Sequence, residues 1–268
     1  MAGERSNDEV AARCHANCIE FAREGARGSR SAGTIEERDG VLLFASGSDF
    51  PVFANGAYRL DPDVAADDVV ELADAWFAER GRGWSLGVTS WAGGDQDLID
   101  AAVARGLVPV TDTPGMVCDE RVAEVATPEG IELRVISTEE DGVAFIAMCD
   151  AAYATLGLPQ GIFPAMMASP MRPPPPNVVT VGAFEGDHLL SGAQVLFSHG
   201  IAGVYCVGTA EAARGRGLAD LATRAVTNLG FDGGAPFVTL QASSMGEPIY
   251  QRMGYRELYR YATYARFV

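Results

Sequence analysis

The segment Val204–Ala219, reading VYCVGTAEAARGRGLA, constrains this chain more than any other stretch. Its apolar run predicts a strand that ends in a glycine-rich turn. The turn opens directly into the helical pattern Leu218, Leu221, Ala222, Ala225, Val226. A turn of this composition leaves several backbone N–H groups without acceptors and aimed the same way. Gly215 and Gly217 carry no Cβ, so an anion can approach the main chain closely. The helix that follows adds its own orphan N–H groups and the positive end of its dipole. The string Arg214-x-x-Gly217-x-Ala219 therefore reads as a cradle for a pyrophosphate, against the plainer account of structural glycines at a helix start.

Other phosphate motifs do not fit. All 20 basic residues are arginine, so no Gly-x-x-x-x-Gly-Lys-Ser/Thr loop exists and a Walker-type nucleotidase is excluded. Gly215-Arg216-Gly217 lacks the third glycine of a dinucleotide fingerprint, and no acidic residue follows at a strand end about 20 residues on.

The Arg-x-x-Gly-x-Ala string resembles the acyl-CoA-binding motif of the GCN5-related N-acetyltransferases (the GNAT family), Gln/Arg-x-x-Gly-x-Gly/Ala. Two further segments continue the resemblance in the family's order. Phe237–Ser243 looks like its next strand. Gly246–Tyr255 looks like its Tyr-x-x-x-Gly-Phe helix and turn, with Tyr255 in place of the usual Phe. The match covers about residues 131 to 268 well and the first half only faintly. It implies an α/β (α+β) fold with a mixed, mostly antiparallel sheet flanked by helices, and acetyl-CoA as co-substrate without a metal. The implied reaction is acetyl transfer to the amine of a small molecule.

The same resemblance implies a set of site residues. Main-chain groups of Cys206, Val207 and Thr209 would pair with the pantetheine arm, and Gly208 would mark a bulge that opens the sheet. Amides of Arg214, Gly215, Arg216, Gly217, Leu218 and Ala219 would hold the pyrophosphate. The side chains of Arg214 and Arg216 are explained equally well as solvated loop arginines. Ser243 stands where the family often has an asparagine contacting the cofactor arm. Tyr250 would be the general acid, since a phenol with a pKa of about 10 keeps its proton at neutral pH; a core tyrosine is the competing account. No carboxylate lies between Ile201 and Thr209, leaving ordered water as the base, with Glu211 a weaker alternative toward the phosphate end. His188 and His199 read as strand-end or turn residues.

Composition narrows the partners. The formal net charge is −16, a surface that repels nucleic acid and anionic membrane and attracts cationic amines. An all-arginine basic set with abundant Ala, Gly and Asp points to a GC-rich bacterial genome. No N-terminal apolar run follows a basic segment, so a cytoplasmic protein is expected. Cys14, Cys18, Cys118, Cys149 and Cys206 are an odd number with no CxxC pair, which favours neither a disulfide framework nor a zinc site. Cys14, His15 and Cys18 fall within one helical turn and are expected on a buried helix face. Oligomeric state is not set by these residues.

A faint internal repeat divides the chain. Gly83–Val88, Asp97–Arg105 and Gly106–Val110 repeat the order of Phe237–Gln241, Pro248–Met253 and Gly254–Leu258. Aligning Gly106 with Gly254 sets Ala102 opposite Tyr250. Where the second half has its cradle, the first has Asp61, Asp63, Asp67 and Asp68 ahead of a helix over Val69–Arg80. Those carboxylates would repel a pyrophosphate. Two GNAT-like halves are expected, 1–126 degenerate or an unrelated cap, and 127–268 the transferase. The boundary lies near Ala126–Gly130, a Pro/Gly turn. Beyond it, Ile131–Val135 reads as a strand and Thr138 as the cap of a helix running to about Leu156. Val178–Phe184 and His188–Phe197 read as a hairpin, and Ile201–Val207 as the strand feeding the cradle. Between helix and hairpin, Gln160–Asn177 carries Phe163, Met166, Met167 and the Pro173–Pro176 run. That stretch is either a stiff linker or a cover over an acceptor with apolar parts. A non-catalytic acyl-CoA-binding or interaction module and a protein N-terminal acetyltransferase are the alternative readings.

Overall fold

A computed structural model of the chain describes residues 6–29, 33–90, 95–167 and 175–268. The first half runs α1 (Asn7–Gly28), β1 (Thr34–Arg38), β2 (Val41–Ala45), β3 (Asn55–Arg59), α2 (Ala66–Ala78), β4 (Trp84–Thr89), α3 (Gln96–Ala104) and β5 (Val108–Cys118). The second half runs β6 (Ile131–Val135), α4 (Glu139–Ala154), α5 (Ile162–Met167), β7 (Val178–Glu185), β8 (His188–Ser198), β9 (Ile201–Thr209), α6 (Leu218–Asp232), β10 (Val238–Gln241), α7 (Glu247–Met253) and β11 (Arg256–Arg266).

All the strands join one 11-stranded sheet in the order β1-β2-β3-β4-β11-β5-β10-β9-β8-β7-β6. The pairing is antiparallel except at β3/β4 and β9/β10. Those two parallel pairs occupy matching places on either side of the central β11/β5 pair. The last strand of each half is exchanged: β5 pairs with β10, and β11 pairs with β4. The connection between β5 and β6 carries the Ala126–Gly130 turn.

Local chemistry explains the elements. Thr138 caps α4 through its side chain, which accepts from the Asp141 N–H, and Ser6 does the same for α1 through Glu9. The repeat seen in the sequence is also a repeat of hydrogen bonds. Leu107 N–H donates to Ala102 O at 2.9 Å, and Tyr255 N–H donates to Tyr250 O at 3.0 Å. Gly106 and Gly254 close the two helices at φ of 83° and 107°. Both positions need the left-handed region that glycine enters freely.

Apolar residues fill both faces of the sheet. In β2, Val41 and Leu43 pack against α2 and α3, while Leu42 and Phe44 pack against α1. Such two-sided burial is why β2 is apolar throughout rather than alternating. Helix α1 presents Val10, Cys14, Cys18, Ile19 and Ala22 to a cluster that includes Tyr58 of β3, Ile201 of β9 and Tyr261 of β11. It therefore spans both halves. In the second half, α6 and α7 cover one face and α4 and α5 the other.

Candidate functional site

β9 and β10 are paired only at Ala202↔Val238 and Gly203↔Thr239. Beyond Gly203 the two strands part, and the edge of β9 toward its C-terminus faces no neighbouring strand among the described residues. A β-bulge sits at the parting. The register between β8 and β9 slips between Gly192↔Gly208 and Gln194↔Tyr205, and Cys206 has φ 52°. Its effect is visible in the side chains: Val204 and Val207 face the α6 side, whereas Tyr205 and Cys206 both face the α4 side.

This corrects the expectation at Gly208. The bulge is at Cys206, and Gly208 is glycine for a different reason. A Cβ there would lie 3.0 Å from Met148 Sδ and 3.4 Å from Cys149 Sγ on α4. The Cys206 carbonyl is also engaged, accepting from the Cys149 thiol at 3.6 Å. Thr209 bonds Ser191 through its hydroxyl at 2.8 Å, and Val207 packs by its side chain, so what either offers a ligand is main chain.

The strand runs on into a 3₁₀ turn, Glu211–Ala213, and then the glycine turn. Gly215 and Gly217 take φ of 79° and 76°, and a Cβ placed on either meets nothing within 4 Å. Gly217 is the N-cap of α6 and offers no side-chain cap. Backbone N–H groups of Gly215, Arg216, Gly217, Leu218, Ala219 and Asp220 have no acceptor among the described residues. Leu218, buried with Ala213 and Leu221, pins the turn to the body. The result is a run of unpaired amides around open space at a helix N-terminus. Their side chains are less committed to it. Arg216 is ion-paired to Glu185 at 2.7 Å, and Arg214 donates to Thr155 Oγ1 at 3.1 Å.

The equivalent place in the first half is closed. Asp61 N–H donates to Gly40 O at 3.1 Å, Val64 N–H to Asp61 O at 3.1 Å, and Asp63 N–H to the Asp61 carboxylate at 2.9 Å. Gly40 packs so tightly on this loop that a Cβ would come within 2.7 Å of Asp61 Cβ. Asp67 and Asp68 occupy the first turn of α2.

Tyr250 lies on α7, 8% exposed, with its ring folded over Gly246. Other buried tyrosines have ordinary partners: Tyr205 donates to Asn17 Oδ1 at 2.7 Å, Tyr261 to Tyr58 at 2.7 Å, and Tyr255 shares a 2.7 Å bond with Thr227. Tyr250 makes no hydrogen bond of ordinary length to the described residues. Burial pushes the pKa of its hydroxyl up to about 12, and the nearby hydroxyl of Thr223, which has no partner of ordinary length among the described residues, pulls it the other way. It is a proton-bearing phenol held in an apolar place. Ser243 is used locally: its hydroxyl accepts from Gly246 N–H at 3.2 Å and so shapes the entry to α7.

Tyr153, near the C-terminal end of α4, was not marked by the sequence. Its ring meets Phe163 of α5 at 4.7 Å, burial raises its hydroxyl well above the usual value, and Cys206, Cys149 and Tyr250 are close enough to add to the rise. Helix position alone could not separate it from any other half-buried aromatic. Phe163 and Met166 are buried on α5, and Met167 Sδ lies 3.9 Å from Cys206 Sγ, so α5 does cover the parting strands. Asp150 of α4 holds α5 there by accepting from Gly161 and Phe163 N–H. Pro173 and Pro174 lie outside the described residues. Cys206 itself is pushed up to about 12 by burial and is a neutral thiol. Glu211, His188 and His199 are exposed.

Comparison of the sequence with models of known protein families and with curated proteins finds no match. Comparison of the structure does. A GCN5-related N-acetyltransferase from Kribbella flavida superposes with a TM-score of 0.71 at 20% identity, covering 94% of this chain and 95% of that one. One from Sphaerobacter thermophilus gives 0.61 at 16% identity, covering 96% and 91%. A tandem GNAT protein from the clavulanic acid biosynthesis pathway gives 0.61 at 14% identity, covering 99% and 90%. The fold of this chain is that of the GCN5-related N-acetyltransferases.

Proposed function

We propose that this chain is an acyl-CoA-dependent N-acetyltransferase that moves the acetyl group of acetyl-CoA to the amine of a small molecule, in the cytoplasm. The observation that carries the reading is the run of acceptor-free amides from Gly215 to Asp220, placed at the end of a strand whose edge is open. An extended chain ending in a pyrophosphate matches both features. On this reading residues 127–268 hold the chemistry, and 1–126 is a GNAT-like half that has lost its cradle and serves as scaffold and wall.

Bound acetyl-CoA would supply an activated acetyl group as a thioester. The chain's part is to hold and to exchange protons. Amides of the cradle take the pyrophosphate oxygens, and main-chain groups of Val207 and Thr209 take the arm. Tyr250 gives its proton to the departing sulfur, which its raised pKa permits at any neutral pH. Cys206 and Cys149 stay protonated and do not compete as nucleophiles. Holding both reactants beside Cys206, where Met167 of α5 covers β9, would supply much of the remaining acceleration.

The test is acetyl-CoA-dependent thiol release across a panel of amines. Turnover with at least one small amine is expected. Tight acetyl-CoA binding with no turnover would favour a non-catalytic acyl-CoA-binding module, and turnover confined to peptide N-termini a protein N-terminal acetyltransferase.

A further inference from the structure

A cavity of about 1040 Å³ lies between α1 and α4, above β7, β8 and β9. We infer that this cavity seats the acceptor, and that the acceptor is a primary amine on an apolar arylalkyl or branched-alkyl body rather than an amino sugar. The inference rests on the acetyl-transfer reading above and names the substrate class for it.

Four observations carry it. The cavity adjoins the transfer point: Tyr205 lines it and is followed on β9 by Cys206, and Met167, another wall residue, touches Cys206 Sγ at 3.9 Å. The bulge is what turns both Tyr205 and Cys206 toward this side. The walls are aromatic, thioether and aliphatic: Phe21, Phe145, Met166, Met167, Leu196 and Tyr205, with Phe21 stacked on Tyr205 at 4.0 Å and 2°.

Two polar groups of the floor already have partners within the protein. Gln194 Nε2 donates to Thr180 Oγ1 at 3.0 Å, and the Tyr205 hydroxyl is taken by Asn17. A polyhydroxylated acceptor would exchange much of its water for walls that are mostly apolar, which is costly. Finally, the charges at the cavity suit an entering cation. Glu24 and Glu139 line it, and Arg27, the one cation among the described lining residues, is ion-paired to Glu20 at 2.7 Å and to Glu24. Once inside, the apolar walls favour the neutral form of an amine over its ammonium. The acceptor thus gives its proton to solvent water as it enters, which suits a site whose strand carries no carboxylate to take it.

Phe21, Glu24 and Arg27 of this lining belong to α1, so the half without a cradle shapes the specificity of the half that has one.

The test is ligand-observed saturation-transfer NMR on the full chain with CoA present, using 2-phenylethylamine and glucosamine as probes. Binding of 2-phenylethylamine at least about tenfold tighter than glucosamine is expected from burial of one ring. Val143→Trp places an indole in the cavity from an exposed position on α4 and should weaken 2-phenylethylamine by about tenfold or more. Phe21→Ala should weaken it in the same direction. Acetyl-CoA affinity, read by calorimetry, should stay within about twofold in both variants because the cradle is a separate site. Equal binding of the two amines, or unchanged 2-phenylethylamine binding in both variants, overturns the assignment. Failure of acetyl-CoA to bind the wild-type chain would instead overturn the acetyl-transfer reading itself, whichever amine the cavity takes.

Discussion

Tyr250 is the residue on which the proposed chemistry turns, a buried phenol with no hydrogen bond of ordinary length to the described residues. Tyr250→Phe keeps the ring against its apolar neighbours and removes only the proton source. The variant should lose about 10²- to 10⁴-fold in turnover, the range for a positioned acid, with acetyl-CoA affinity unchanged. A variant with wild-type kcat under chemistry-limited conditions would show that the departing thiolate draws its proton from water. The glycine turn was legible in the sequence at this scale, since a turn at positive φ is written in glycine and both Gly215 and Gly217 adopt it. The bulge was not. Cys206 adopts φ 52° with nothing in its residue type to announce it, and the nearby glycine that drew attention, Gly208, answers to the crowding of Met148 and Cys149. Ser243 shows the same limit: its place in the motif was readable, but not its bond to Gly246.

Elements defined by local signals were readable: the capped start of α4, the hairpin at Gly186, and the α3 and α7 turns closed by Gly106 and Gly254. The long helix α1 was glimpsed only as one turn carrying Cys14, His15 and Cys18. Its docking across the sheet depends on partners hundreds of positions away, such as Tyr261, which no local pattern encodes. His15 reports on that docking. Its ring meets Tyr58 edge-on at 5.9 Å, and burial lowers its pKa from 6.5 to about 4. The folded state thus refuses a proton that the unfolded state accepts. Stability from this group is present above pH 6.5 and is lost as pH falls from there toward 4. His15→Gln should flatten that part of the acid loss. Denaturant titrations at pH 7 and pH 5 check this; an equal fall for both proteins would remove His15 as the cause.

At the scale of the whole molecule, the exchange of β5 and β11 between halves makes one sheet of two repeats. Local periodicity is the same whether a last strand pairs with its own half or the other, so the sequence could show a repeat but not the exchange. A shared sheet predicts shared stability. The tryptophans Trp76, Trp84 and Trp91 all lie in the first half, whereas Phe184 is fully buried in the second. Phe184→Ala should cost about 3–5 kcal/mol. The loss should shift the tryptophan-detected unfolding midpoint as much as the circular dichroism midpoint. An unmoved tryptophan transition would mean that the halves unfold independently. The same molecule carries one turn of amides without acceptors among the described residues, from Gly215 to Asp220, and an equivalent loop closed on itself by Gly40 and Asp61. Calorimetric titration of the wild-type chain and of Gly217→Asp with acetyl-CoA tests that asymmetry most directly. Asp tolerates the left-handed backbone better than most residues and its Cβ meets open space, so the fold should survive while its carboxylate faces the pyrophosphate. The expected result is one site per chain, abolished in the variant with its circular dichroism unchanged. Two equivalent sites, or undiminished binding to Gly217→Asp, would contradict the account.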